Sequence, residues 1–111
     1  DGSINADVFA RMKPGSYLVS CGSGSVIDEA ALAEALRAGQ LAGAALDTYE
    51  WEPIRPDNPL LPLARDPGKN VLLTPHTAAG SVPAATGAVR IGDFENIRRL
   101  LRGQPLLHRV A

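Results

Sequence analysis

The stretch LVSCGSGSVIDEAALAEALRAG, residues 18–39, decides the fold. An apolar run ends in two closely spaced glycines and passes at once into an amphipathic segment. Tyr17 to Cys21 is short, apolar and bounded by turn residues, which predicts a buried strand. Asp28 is placed to cap the helix that follows, Leu32, Ala35 and Leu36 give that helix one apolar face, and Gly39 stands at its C-terminal end. A dinucleotide-binding loop requires G-x-G-x-x-G, with the third glycine allowing helix and strand to pack closely. Gly22 and Gly24 satisfy the first two positions, Ile27 occupies the third, and no G-x-x-x-x-G-K-[ST] is present. The other reading is a glycine-rich strand-to-helix turn, since glycine is the default residue where the backbone must turn tightly.

On the N-terminal side, INADVFARM (residues 4–12) sets Ile4, Val8, Phe9 and Met12 at helical spacing, and Lys13-Pro14-Gly15 ends the run. On the C-terminal side, LAGAALDTY predicts a strand over roughly 43–48 and NVLLTP another over roughly 70–74. Between them, Pro53, Pro56, Pro59, Pro62 and Pro67 exclude any long regular element and predict a functional or packing loop. Pro83 opens a long helical segment that runs to Arg102, with Phe94, Ile97, Leu100 and Leu101 as its apolar stripe and Gly103 closing it. Gly87 and Gly92 weaken its first half, and Arg90, Arg98, Arg99 and Arg102 read as a solvated face. The order of elements is alternating α/β. Strands this apolar predict a parallel sheet buried on both faces, about three strands wide, with flanking helices: a partial Rossmann-like, doubly wound domain.

Composition narrows the classes of function. The chain has 111 residues, 45% hydrophobic and 21% charged, enough for one compact domain. A net charge of −1 gives no electrostatic footprint for nucleic acid or an anionic membrane. Apolar runs such as 43–46 and 71–73 fall far short of the roughly 20 residues of a membrane span. The single cysteine, Cys21, forms no internal disulfide and builds no metal cluster. These features predict a soluble, cytoplasmic protein. Asp1 in place of Met, in mid-pattern, predicts a fragment or processed piece.

Chemistry-bearing residues gather at the predicted strand ends. LDTYEWEP puts Asp47, Glu50 and Glu52 just beyond one strand, and LLTPHTAAG puts His76 just beyond another. Ligands of open α/β sheets bind outside those ends. A histidine and a carboxylate brought there from separate strands are what general acid/base chemistry needs, the carboxylate orienting the imidazole and raising its pKa. A histidine after a proline is also a common turn residue.

INADVFARMKPGSYLVS, VIDEAALAEALRAGQLAGAALDTYEWEP and NVLLTPHTAAG, taken together, resemble the C-terminal part of the nicotinamide-binding domain of D-isomer-specific 2-hydroxyacid dehydrogenases. The resemblance covers nearly the whole chain in one continuous order, which makes residues 1–111 a single part of that domain. It implies an oxidoreductase that moves hydride between NAD or NADP and a small 2-hydroxy or 2-oxo acid, with NAD favoured. On it, the catalytic histidine falls on His76 and its paired glutamate on Glu52. Asp47 matches the aspartate at the nicotinamide carboxamide, and Cys21, Gly22, His76 and Ala79 lie in segments lining the cofactor.

Two departures follow. The family arginine that holds the substrate carboxylate falls on Ser23, where a neutral hydroxyl replaces a permanently charged bidentate fork. The alternative implied is a non-catalytic dinucleotide-binding or assembly module. The substrate domain and the half carrying the glycine-rich loop are absent from these residues, so the isolated 111-residue chain is expected to be inactive. A homo-oligomer, or pairing with the missing N-terminal part, is expected to cover the last helix.

Overall fold

In a computed structural model of the chain, residues 1–78, 95–105 and 107 are described, and they divide between two compact units, 1–78 and 79–111. In the first unit, Asn5 caps α1 (Ala6–Arg11) by accepting bonds from the Asp7 and Val8 amides. Strand β1 (Ser16–Ser20) leads through a tight turn at 24–26 into α2 (Glu29–Arg37). Asp28 caps α2 as its position predicts, its Oδ1 2.9 Å from the Ala31 amide. Gly39, at φ +72°, takes the left-handed conformation that ends the helix. Strand β2 (Leu41–Leu46), a short helix α3 (Leu61–Arg65) and strand β3 (Asn70–Leu73) complete the unit.

The sheet is parallel throughout, in the order β1-β2-β3, with Leu18, Ala44 and Val71 in one row and Ser20, Leu46 and Leu73 in the next. That face meets the helices in a single core built on Phe9, Leu32, Leu36, Leu41, Leu60 and Leu63. The opposite face is open within this chain: Tyr17, Val19 and Leu72 are 61%, 73% and 60% exposed, and the described helices α1, α2 and α3 cover the other face. The reason is topological: two successive right-handed crossovers stepping the same way across a sheet place their helices on the same side.

The proline-rich segment contains one element that its composition hides. Helix α3 accepts Pro62 in its first turn, where the missing N–H costs nothing, and it buries Leu60 and Leu63 in the core. The segment is therefore a packing loop as well as a connection.

In the second unit, residues 95–101 are helical. Glu95 pairs with Arg99 at 3.1 Å and Arg98 at 3.4 Å, and Gly103 turns the chain at φ +63°. Ile97, Leu100 and Leu101 are exposed. Pro83, Gly87, Arg90, Gly92 and Phe94 lie outside the described residues, and so does the first half of the expected long helix.

Candidate active site

Three chain segments leave the sheet side by side at its C-terminal edge, and backbone bonds continue the parallel pairing beyond the strands. The Asp47 amide donates to Ser20 O at 3.0 Å, the Thr74 amide to Leu46 O at 2.9 Å, and the His76 amide to Asp47 O at 2.8 Å. The strand ends therefore fix where Asp47 and His76 stand.

Asp47 is buried, and its carboxylate is fully engaged. It accepts the Thr74 hydroxyl at 2.5 Å and the Thr77 and Ala78 amides at 2.9 Å each. Those bonds, Thr74 foremost, hold its pKa below the ordinary carboxylate value. They also close the turn that carries His76 in a left-handed conformation, φ 52°, which costs a non-glycine residue free energy and persists only when its surroundings fix it.

His76 Nδ1 lies 2.7 Å from Glu52 Oε2. The other oxygen, Oε1, accepts the Tyr49 backbone amide at 3.1 Å. The bond to Glu52, its charge, and then the charge of Asp47 raise the His76 pKa, while the bonds from His76 and Tyr49 lower that of Glu52. The pair spans 24 residues of sequence and joins the ends of two neighbouring strands.

An open cleft of about 500 Å³ lies on one side of the pair, lined by Cys21–Ser25 from the first loop and by Thr48, Tyr49, Glu50, Glu52 and His76. Ser23 and Ser25 are joined there at 3.2 Å between their hydroxyls, and Thr48 donates its hydroxyl to Gly22 O. Among the described residues, no lysine or arginine lines this cleft. On the other side lies an apolar cavity of about 540 Å³, walled by Pro53, Ile54, Leu61, Leu73 and Pro75 and again by Tyr49, Glu52 and His76.

The sequence-predicted residues Cys21, Gly22, Ser23, Glu52 and His76 thus meet at one cleft, and Asp47 lies beneath the turn that bears the histidine. Ala79 lies outside the described residues. Glu50, grouped with the other acids by sequence, has a different place: its backbone amide donates at 3.2 Å to the buried Glu29, which also accepts Asn58 Nδ2 at 2.8 Å. Sequence reasoning missed Tyr49 and Thr74, whose hydroxyls tie the strand ends together. The one signal for Tyr49 was a hydroxyl-bearing aromatic within the strand-end acids.

The two glycines of the first loop differ in function. A Cβ at Gly24 would fall 2.5 Å from Tyr49 Cα and inside the Tyr49 carbonyl, whereas a Cβ at Gly22 meets nothing within 4 Å. Gly24 is thus required by the next loop. At Gly22 the space beside the backbone is open.

Residues 1–78 match the family model for the NAD-binding domain of D-isomer specific 2-hydroxyacid dehydrogenases. The chain belongs to this family. It is 43% identical over 109 residues to a D-3-phosphoglycerate dehydrogenase of Archaeoglobus fulgidus, a match covering 98% of this chain and 20% of that protein. It is 46% identical over 78 residues to a glyoxylate reductase of Korarchaeum cryptofilum, covering 70% of this chain and 22% of the relative. A solved D-isomer specific 2-hydroxyacid dehydrogenase of Xanthobacter autotrophicus, in complex with NADPH and MES, superposes with a TM-score of 0.72 at 38% identity over 99% of this chain and 42% of that one. The chain therefore spans about a fifth of the curated relatives' length, and its three-stranded parallel sheet is part of a Rossmann-type fold. The cleft suits the nicotinamide end of a dinucleotide: it opens beyond the strand ends, presents hydroxyls, and leaves room beside Gly22 for a flat ring. Among the described residues, no helix is long and apolar enough to cross a membrane.

Proposed function

We propose that these residues form the acid/base half of an NAD(P)-dependent dehydrogenase acting on a small 2-hydroxy or 2-oxo acid. The observation that carries the reading is the 2.7 Å contact between His76 Nδ1 and Glu52 Oε2 at the mouth of the cleft. When bound, the nicotinamide supplies hydride to a carbonyl carbon or takes it from the corresponding alcohol carbon. With Nδ1–H donating to Glu52, Nε2 is the position at which His76 gives a proton to the carbonyl oxygen or removes one from the hydroxyl. Glu52 stabilises the imidazolium and fixes its plane. Asp47 shapes the turn that presents it, and in this reading also lies near the carboxamide end of the nicotinamide. Cys21 and Gly22 complete the lining, and either NAD or NADP serves.

The test is kcat/KM for the full-length protein on a panel of 2-oxo acids with NADH and NADPH. His76→Ala should lower it by roughly 10²- to 10⁴-fold, the usual share of a general acid. Unchanged turnover would remove His76 from the chemistry.

Ser23, a neutral hydroxyl in the cleft where the family arginine falls, favours a second reading, a dinucleotide-binding module without catalysis. Ser23→Arg separates the two. If Ser23 occupies the substrate-carboxylate position, a guanidinium there should raise kcat/KM for a 2-oxo acid by roughly 10- to 100-fold, the worth of a charge-assisted bond. A protein that binds dinucleotide yet stays silent with and without the arginine would be the module.

A further inference from the structure

We propose that Tyr49 is a positioning residue for proton transfer, holding both members of the His76–Glu52 pair at once. The inference rests on reading that pair as the acid/base.

The pair needs an external hold. Open volume lies on either side of it, and the His76 and Glu52 side chains are 59% and 36% exposed, so packing does not fix their mutual geometry. Hydrogen bonds must do so, and Tyr49 supplies them from both ends. Its backbone amide holds Glu52 Oε1, which leaves Oε2 aimed at the imidazole. Its buried hydroxyl lies 2.8 Å from Thr74 O and 3.2 Å from Leu46 O, gripping the chain two residues before His76 and the end of the neighbouring strand together. Tyr49 is itself held, because its backbone packs against Gly24 where no Cβ intervenes. One residue thus holds the carboxylate directly and adds a second tie, beside the Asp47 bonds, to the strand end from which the His76 turn leaves. The charged groups around His76 are Glu52 and Asp47, with Glu50 on the same cleft, and Tyr49 touches only the first of them.

Tyr49→Phe removes the hydroxyl and leaves no carbonyl without a donor. Leu46 O keeps the Thr74 amide and Thr74 O keeps the His76 amide, so the fold survives. The experiment is an NMR titration of the His76 imidazole in the full-length protein, alone and combined with Glu52→Gln, beside kcat and KM over pH. Tyr49→Phe should move the His76 midpoint down toward that of an ordinary imidazole and lower kcat about tenfold, as small misplacement of a reacting group does, with KM little changed. In the Glu52→Gln background the same substitution should move the midpoint no further. A wild-type midpoint in Tyr49→Phe overturns the proposal, and so does an equal displacement without Glu52. Because the titration needs no turnover, a protein inactive on every 2-oxo acid would sink the dehydrogenase reading and leave the role of Tyr49 decided.

Discussion

Gly24→Ala is the sharpest probe of how the first loop is built. The added Cβ would stand 2.5 Å from Tyr49 Cα where ordinary contact begins at 3.4 Å, and its other neighbours, the Tyr49 carbonyl carbon and oxygen, are closer still. All three are backbone atoms that cannot rotate aside, so the two loops must part by about 0.9 Å or more, against a close-packed interior. Overpacking of this kind costs about 3 kcal/mol, the upper end of its usual range. That is roughly a 150-fold change in the folded-to-unfolded ratio, a large share of a small domain's stability. In urea, followed by circular dichroism, the midpoint should fall by roughly 2 M with the slope unchanged. Gly22→Ala, two residues away in the same motif but facing open space, should stay within about 0.5 kcal/mol of wild type. Equal midpoints for the two variants would refute the claim that Gly24 is there to admit Tyr49. The displaced loop should also loosen the Tyr49–Glu52 bond, so the His76 titration midpoint should fall in Gly24→Ala alone.

Further outcomes follow from the same contacts. Glu52 raises the His76 pKa, so under the proposed function carbonyl reduction, with His76 as its acid, should persist above pH 6.5 in the wild type. Its alkaline limb should move to lower pH in Glu52→Gln, read from kcat/KM against pH. The stability that the raised His76 pKa contributes is fully present below pH 6.5 and is lost as pH rises through the folded value. Glu29→Ala leaves the Asn58 amide and the Glu50 N–H without their acceptor and should cost about 1–3 kcal/mol in urea unfolding. Burial raises the Glu29 pKa, so the stability it contributes fades as pH climbs through its folded value. The wild type should therefore lose stability relative to Glu29→Gln as pH rises above 4.5, read from urea unfolding at a series of pH values.

The amino-acid sequence alone determined the succession α1, β1, α2, β2 and β3, the cap of α2 and its Gly39 terminus, because these depend on residues within a turn or two of one another. It also brought Glu52, His76 and Ser23 to notice, through their places beyond strand ends and the likeness to a known family. Strand bounds moved by a residue or two: β2 begins at Leu41 rather than near 43, since pairing with β1 decides where a ladder starts. Helix α3 was hidden because prolines mask a single turn whose cause is the burial of Leu60 and Leu63.

Only the tertiary structure distinguished residues that look alike in sequence. Gly22 and Gly24 are two letters of one motif until the Tyr49 carbonyl comes to lie against the second. Asp47, Glu50 and Glu52 are three acids in six residues until each meets a different neighbour: a turn, a buried glutamate through its amide, and an imidazole. Tyr49 gained its place because parallel pairing sets the ends of β2 and β3 within reach of one hydroxyl. Periodicity and capping are local and can be read along a chain, whereas a hydrogen bond across 25 residues exists only after the sheet has brought its ends together.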